Sequence, residues 1–380
     1  MTSATSRSPT PPAATSPAPA SSRSSSGSSA AGSSATRATW AWSTRRPRRT
    51  PSHGSPPGPE ADHPFFAPQA PARRTHRAGP HSEDSTMTTV TVIGLGIMGL
   101  PMAKNLVKAG YDVVGFNRSQ DKIDQLVEAG GKGASGVAES VENADVVITM
   151  VPDSPDVEGV VTGEDGVFAH ARRGTIWIDA SSIRPDVAAR LSGDAARAGL
   201  RPLDAPVSGG EQGAIDAALS IMVGGEAADF EAARPVLEAV GKTIVHVGPA
   251  GSGQTVKAAN QLIVAGNIQL LAEAIVFLEA YGVDTDAALK VLGGGLAGSK
   301  VLDQKGQKML DRNFDPGFRL QLHHKDMGIV TSAAREAGVA VPLGAIVAQL
   351  VAATVNKGDG GLDHSGLFKL VEELSGRSGR

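Results

Sequence analysis

The most constraining feature of this 380-residue chain is a glycine-rich turn between a strand pattern and a helix pattern. Residues 90–93 form a short run of β-branched residues, and three glycines follow within residues 94–99. A helix pattern then continues to Gly110, and a second strand pattern occupies residues 111–116. Glycines at this spacing inside a β–α–β unit predict a dinucleotide-binding turn.

Each glycine of this turn has its own structural reason. Gly94 permits the tight turn, Gly96 lets the backbone approach a pyrophosphate, and Gly99 lets the helix pack on the sheet. The helix N-terminus presents free amides and a positive dipole end to the phosphates. We therefore expect cofactor contacts from the whole turn, which consists of Gly94, Leu95, Gly96, Ile97, Met98 and Gly99.

The end of the second strand indicates which nicotinamide cofactor is preferred. An acidic side chain at this point would bind the ribose 2′-hydroxyl of NAD, but this chain has Asn117 and Arg118. Asn117 carries no charge to repel a 2′-phosphate, and Arg118 can pair with one. The sequence therefore favours NADPH over NADH. The alternative is that Arg118 stacks on the adenine, which would tolerate either cofactor.

Further strand patterns at residues 146–151, 175–179 and 201–204 fit an open α/β sheet. Ligands in such sheets lie beyond the carboxyl ends of the strands. We expect further cofactor contacts from the first of these ends, formed by Met150, Val151 and Pro152.

A serine and two glycines follow the last of these strands. The Ser208 hydroxyl and the unobstructed amides of Gly209 and Gly210 can converge on a carboxylate. The alternative interpretation is a purely structural loop.

A long helix pattern opens near Gly251 and runs to about Tyr281. Lys257, Asn260 and Gln261 are spaced i, i+3 and i+4, so they share one helix face. Lys257 and Asn260 are candidate catalytic residues, and Asn260, which can hold the substrate oxygen, and Gln261 are candidates to bind the substrate. Lys257 can protonate the alkoxide that forms when a carbonyl is reduced, and burial would favour the neutral form needed for the reverse reaction. The alternative is a solvated lysine near a helix start. The apolar faces of this helix include Val256, Ala259, Ile263 and Leu270.

Composition argues against several other classes of protein. The chain has no cysteine, which excludes disulfides, thiolate metal sites and a cysteine nucleophile. No motif indicates a metal, and the adjacent His323 and His324 must point to different helix faces. No uninterrupted apolar run is long enough to predict a membrane span. The chain after residue 86 has a net negative charge, so its composition does not indicate the basic surface that binds nucleic acid. We expect a cytoplasmic protein with a small-molecule substrate.

Residues 1–86 differ in kind from the rest of the chain. They are dominated by Ser, Ala, Pro, Thr, Gly and Arg, without helix or strand periodicity, so they cannot bury enough apolar surface to fold. Three interpretations remain open: a disordered tail, a transit peptide, or a segment outside a mature protein that starts at Met87. The predicted domains are this extension, a nucleotide-binding domain at 87–250 and a helical domain at 251–380.

Four ordered motifs make the chain resemble the β-hydroxyacid dehydrogenase family. They are the glycine turn with its helix, residues 204–210, residues 253–261 and the Lys325-Asp326 pair. The resemblance implies an α/β fold, in which a Rossmann-like domain is followed by an all-helical C-terminal domain. It also implies that Lys257 is the catalytic acid/base and that Ser182 and Lys325 contact the cofactor.

The resemblance further implies a small aldehyde or alcohol substrate that bears a carboxylate. Residues 294–303, 311–319 and 363–365 resemble the tartronate semialdehyde reductase subgroup, which makes glycerate. Members of this subgroup often have Asp at the position of Asn117. This chain departs from them there, which puts a preference for NADH in doubt. The alternatives are a 3-hydroxyisobutyrate dehydrogenase, a glyoxylate or succinic semialdehyde reductase, and a non-catalytic dinucleotide sensor, which would not need Lys257. We also expect a homo-oligomer.

Overall fold

The computed structural model describes residues 87–377. The predictions about residues 1–86 lie outside the described residues. The strands are β1 (Thr89–Ile93), β2 (Asp112–Phe116), β3 (Lys132–Gly133), β4 (Val146–Thr149), β5 (Ile176–Asp179), β6 (Arg201–Asp204), β7 (Val207–Ser208), β8 (Leu219–Gly225) and β9 (Gly241–Gly248). The helices that accompany these strands are α1 (Gly99–Lys108), α2 (Gln120–Val127), α3 (Val137–Val141), α4 (Ser154–Thr162), α5 (Val167–His170), α6 (Pro185–Ala198), α7 (Gly210–Ile215) and α8 (Ala227–Glu238).

One sheet contains all nine of these strands. Its parallel portion has the order β3-β2-β1-β4-β5-β6, which is the strand order of a Rossmann domain. The predicted fold class is therefore confirmed. Strand β8 joins β6 in antiparallel fashion and also pairs with β7 and β9. The sequence did not reveal β9, because its exposed Lys242 and Thr243 interrupt the apolar run expected of a buried strand.

The second part of the fold is helical. It consists of α9 (Ser252–Ala280), α10 (Thr285–Gly293), α11 (Lys300–Leu310), α12 (Leu320–Glu336), α13 (Pro342–Asn356), α14 (Leu367–Leu374) and two short 3-10 turns, Asp359–Gly361 and His364–Gly366. One face of α9, with Ala265, Ile268, Ala272 and Ile275, is buried in a core that α12, α13 and α14 complete. Within residues 87–377, α9 is also the one helix whose length and composition would allow it to cross a membrane; 44% of its apolar window is buried inside the fold.

Candidate active site

The glycine turn after β1 is closed toward the protein and open toward solvent. Gly94 has a φ of +98°, and a Cβ there would collide with the Met150 carbonyl. A Cβ on Gly99 would collide with the Gly94 carbonyl, whereas a Cβ on Gly96 would meet nothing within 4 Å. The turn therefore leaves space along its solvent side where a pyrophosphate can approach the backbone and the N-terminus of α1, as the motif predicts.

Asn117 holds this turn from the end of β2. Its side-chain oxygen accepts a hydrogen bond of 3.0 Å from the Leu95 amide, and its nitrogen donates to the Ser119 carbonyl at 3.3 Å. The Asn117 side-chain amide therefore stabilises the conformation of the glycine turn. Arg118, the next residue, is exposed beside it. The predicted contacts Ile97 and Pro152 are also exposed, and Met98, Met150 and Val151 are half-buried.

A lysine from the helical part reaches the edge of the sheet. Lys325 on α12 donates a hydrogen bond of 2.6 Å to the Ser182 carbonyl, and it lies 2.9 Å from the Asp326 carboxylate. The Ser182 loop follows β5, so this contact ties α12 to the same strand ends that hold the glycine turn. The two residues that the family resemblance assigns to the cofactor are therefore neighbours.

Lys257 lies in the first turns of α9 and is only 8% exposed. Its ammonium donates a hydrogen bond of 2.8 Å to the Val207 carbonyl. Burial lowers the pKa of Lys257 from 10.5 to about 8, with the Asp326 carboxylate opposing this shift and the Lys325 charge adding to it. A lysine with this pKa can hold or release a proton near neutral pH, as acid/base catalysis requires.

The serine loop faces the same stretch of helix. The Ser208 hydroxyl lies 3.5 Å from the Asn260 side-chain oxygen. Gly209 and Gly210 are exposed, with φ values of +141° and +66°, a backbone conformation that glycine adopts without strain. The predicted carboxylate-binding loop and the predicted helix face therefore meet.

Gln261 is buried beneath the surface where the serine loop meets α9. Asn260 donates to the Gln261 side-chain oxygen at 2.8 Å, and Gln261 donates to the Asp326 carboxylate at 2.5 Å. Gln261 is buried, so its side chain holds Asn260 in position from within the fold. The predicted face of Lys257, Asn260 and Gln261 is present, but the third residue points toward α12.

Two residues that the sequence analysis did not single out anchor the start of α9. The Asp204 carboxylate accepts hydrogen bonds from the Gly251 amide at 2.7 Å and the Gln254 amide at 2.9 Å, and so caps the helix. Burial raises the pKa of Asp204 to about 6. The Gln254 side chain donates to the Ser181 carbonyl at 2.8 Å. Asp204 lies in the motif at residues 204–210, and Gln254 lies in the motif at residues 253–261. Membership of these motifs was the sequence feature that could have identified both residues.

A second buried polar cluster lies behind the site in the helical part. His323 and His364 are both buried, and their Nδ1 atoms are 3.2 Å apart. His324 is exposed, so the adjacent histidines do point to different faces, as predicted. Asp363 is fully buried and accepts hydrogen bonds from Lys305 at 2.9 and 3.0 Å and from the Gly317 and Phe318 amides. This cluster fixes the loop before α12.

Comparison with known proteins agrees with this geometry. Residues 89–248 match the family model described as the NAD binding domain of 6-phosphogluconate dehydrogenase. Residues 251–371 match the model described as NAD-binding of NADP-dependent 3-hydroxyisobutyrate dehydrogenase. The glycine turn has the shape such a cofactor needs, so the fold and site define a nicotinamide-dependent hydroxyacid dehydrogenase.

Individual relatives place the chain more closely. It is 40% identical to the 2-hydroxy-3-oxopropionate reductase of Escherichia coli K12, over 74% of this chain and 97% of the relative. It is 36% identical to an NAD-dependent L-serine dehydrogenase of Pseudomonas aeruginosa, over 77% of this chain and 100% of the relative. The solved structure of Mycobacterium tuberculosis 3-hydroxyisobutyrate dehydrogenase with L-serine is 34% identical, with a TM-score of 0.69 over 75% of this chain and 99% of that one. The chain therefore belongs to the 3-hydroxyisobutyrate dehydrogenase-like, or β-hydroxyacid dehydrogenase, family.

Proposed function

We propose that this protein reduces a small carboxylate-bearing aldehyde, with Lys257 as the general acid. The observation that carries the proposal is the buried Lys257 ammonium, whose pKa is lowered to about 8 where the serine loop meets α9. The nicotinamide cofactor, when bound, supplies the hydride. A proton must then reach the new alkoxide, and Lys257 is the acid at this point of the fold.

The neighbouring side chains orient the substrate. The Ser208 hydroxyl and the amides of Gly209 and Gly210 hold the carboxylate. Asn260 donates to the carbonyl oxygen that Lys257 protonates. In the oxidation direction, neutral Lys257 accepts the hydroxyl proton, which its lowered pKa permits.

The test of this role is the Lys257→Ala variant. We expect turnover to fall by ~10²–10⁴, as for other acid/base groups. The affinity for NADPH, measured by fluorescence titration, should stay within a few-fold of wild type, because Lys257 lies on α9 against the serine loop, whereas the proposed pyrophosphate site is the glycine turn between β1 and α1. A variant that keeps more than about a tenth of wild-type kcat would exclude Lys257 as the acid.

We also propose that NADPH is the preferred cofactor. Arg118 is exposed beside the glycine turn, and the side-chain oxygen of Asn117 already accepts from Leu95. A charge-assisted bond from Arg118 to a 2′-phosphate contributes ~1.5–3 kcal/mol, about 10–100-fold in kcat/KM. Arg118→Ala should remove the preference and leave the NADH reaction nearly unchanged. Equal efficiency of the wild type with both cofactors would contradict the proposal.

The substrate we propose is tartronate semialdehyde, reduced to glycerate. The support is the 40% identity to a 2-hydroxy-3-oxopropionate reductase, a relative named for this compound, together with the segments at 294–303, 311–319 and 363–365. With the carboxylate held at Ser208, the pocket must accommodate one further polar group, the 2-hydroxyl. A site that hydrogen-bonds a hydroxyl discriminates strongly against an analogue without it.

An oxidation panel with NADP⁺, read at 340 nm, distinguishes the candidate substrates. We expect glycerate to be oxidised with a higher kcat/KM than 3-hydroxyisobutyrate or L-serine, which carry a methyl or an amino group at the same carbon. Faster oxidation of 3-hydroxyisobutyrate would favour the second candidate, a 3-hydroxyisobutyrate dehydrogenase, which the 34% identity to the mycobacterial enzyme supports. We also propose that the enzyme is cytoplasmic and homo-oligomeric.

A further inference from the structure

A cavity lies at the end of the sheet opposite the candidate active site. Strands β4, β5 and β6 are parallel neighbours whose first residues are in register: Val146 pairs with Ile176, which pairs with Arg201. The cavity is formed by these strand starts and helix α8, and its volume is about 540 Å³, within the range of small-molecule pockets. Ser182 and Asp204 lie at or beyond the other ends of β5 and β6. The cavity is therefore separate from the residues placed in the reaction.

Three arginines line this space, which we call the arginine cavity. They are Arg172 and Arg173 in the turn before β5, and Arg201 at the start of β6. The Tyr111 hydroxyl lies beside them, and the one carboxylate among the described lining residues is that of Asp145. Guanidinium groups bind phosphate and carboxylate groups through paired hydrogen bonds. This lining therefore favours an anionic ligand.

Two carboxylates orient two of the arginines. The Arg172 Nη2 donates to the Asn143 carbonyl at 3.0 Å and to the Asp145 carboxylate at 2.9 Å. The Arg201 Nε donates to the Asp229 carboxylate at 2.7 Å. A guanidinium carries several further N–H donors, and within the described part of the chain these have no acceptor on either side chain. Both groups are thus held by the protein and still able to bind a ligand.

Arg173 supplies a charge that no carboxylate within residues 87–377 pairs with. Its guanidinium lies over Gly199, where a Cβ would approach the Arg173 Cζ to 2.8 Å. Gly199 ends α6 with a φ of +90°, a conformation suited to glycine. Because Gly199 is two residues before Arg201, both guanidinium groups come to the start of β6. With Asp145 and Asp229 each opposed by an arginine, Arg173 leaves the lining with a net positive charge.

The remainder of the lining is largely apolar. Val146, Ile176 and Val236 are buried members of the core on this face of the sheet. Helix α8 also contributes Ala232 to the wall. A ligand with an apolar part can bury that part against this floor while its anionic group meets the arginines.

We propose that the arginine cavity binds a small phosphate monoester with an apolar body. A phosphate monoester carries about two negative charges at neutral pH and several strong acceptor oxygens, which suits three guanidinium groups better than a single carboxylate does. Strand β5 runs for four residues between the cavity and the Ser182 loop, a separation of about 13 Å or more. A ligand in the cavity cannot reach the nicotinamide, so it would act as an effector and not as a substrate.

Isothermal titration calorimetry of the full chain tests the site, with phenyl phosphate, inorganic phosphate and benzoate as probes. The chain is saturated with NADP⁺, so that the glycine turn is already occupied. We expect phenyl phosphate to bind most tightly, because it alone offers both a phosphate and an apolar ring. The proposal is overturned if phenyl phosphate does not bind, if inorganic phosphate binds equally well, or if benzoate binds more tightly. Binding that disappears when NADP⁺ is added would place the phosphate at the glycine turn and would also overturn it.

Removing one arginine tests which residues hold the anion. Arg173→Ala should weaken the binding of phenyl phosphate by about ten-fold or more, as expected for the loss of a hydrogen bond to a charged group. Arg197→Ala is the matched control, because Arg197 is exposed on α6, and α6 packs on the other face of the sheet through Leu191 and Ala195. Its affinity should equal that of wild type.

Filling the cavity is a second test that does not depend on charge. Ala232→Trp should abolish the binding of phenyl phosphate, because the indole would occupy the space beside α8. Ala228→Trp, at another exposed alanine of α8 outside the lining, should bind like wild type. Both variants should keep the turnover of wild type without phenyl phosphate, since neither position touches the active site. Wild-type affinity in both Arg173→Ala and Ala232→Trp would place the ligand elsewhere and contradict the proposal.

Discussion

Replacing Lys257 by methionine should inactivate the protein and at the same time stabilise it. The change removes a buried ammonium but keeps a long apolar side chain of similar length. Lowering the pKa of Lys257 from 10.5 to about 8 means that burial disfavours the charged form by about 3 kcal/mol. The variant loses the hydrogen bond to the Val207 carbonyl, at a cost of ~1–2 kcal/mol. We expect a net gain of ~1–2 kcal/mol at pH 7.

The pH dependence of this gain follows from the two pKa values of Lys257. Below pH 8 the lysine is protonated in both the folded and unfolded states, so the burial penalty is fully present. Between pH 8 and 10.5 the folded state loses its proton first, so the penalty disappears. The advantage of Lys257→Met should therefore shrink by about 2 kcal/mol between pH 7 and pH 9.5.

The assay is thermal or urea unfolding of wild type and variant at both pH values, with turnover read at 340 nm. At pH 7 the melting temperature of Lys257→Met should rise by ~2–6 °C, while kcat falls at least ~10²-fold. Lys290→Met, at an exposed lysine on α10, is the control for a lysine-to-methionine change. A variant no more stable than wild type at pH 7, or a gain that persists at pH 9.5, would refute the reasoning.

Three further changes test other parts of the structure. The kcat for aldehyde reduction should fall as pH rises through about 8, and that for alcohol oxidation should rise over the same range, because Lys257 must be charged in one direction and neutral in the other; profiles without opposite slopes would count against this role. Gly96→Ala should fold normally but bind NADPH more weakly in a fluorescence titration, whereas Gly99→Ala should lower the melting temperature because its Cβ meets the Gly94 carbonyl; equal effects would contradict the geometry of the turn. Asp363→Asn should lower the free energy of unfolding by ~3–5 kcal/mol, because it leaves the largely buried Lys305 without its carboxylate; urea titration would detect this, and a loss below ~1 kcal/mol would be inconsistent with the ion pair.

Features encoded by neighbouring residues could be predicted from the sequence. The glycine turn needs only the spacing of Gly94, Gly96 and Gly99 between a strand and a helix. The common face of Lys257 and Asn260 follows from helical periodicity alone. The same is true of the long helix, whose predicted limits agree with Ser252–Ala280 to within about a residue.

Features that join distant segments could not be predicted in this way. Asp204 caps α9 from 47 residues away, and His323 meets His364 across 41 residues. Helical periodicity could place Val256 and Ile263 on an apolar face of α9, but it could not show that their side chains are exposed to solvent. That depends on which face of α9 the other helices cover, which only the tertiary structure determines.

The most direct test of the proposed activity is the reduction of two semialdehydes with NADPH. Tartronate semialdehyde and methylmalonate semialdehyde differ in the group at carbon 2, a hydroxyl or a methyl, and both carry the carboxylate proposed to bind at Ser208. We expect kcat/KM, measured at 340 nm, to be far higher for tartronate semialdehyde, by up to ~10⁴–10⁵ if the pocket hydrogen-bonds the hydroxyl. Equal or greater efficiency with methylmalonate semialdehyde would contradict the proposed substrate.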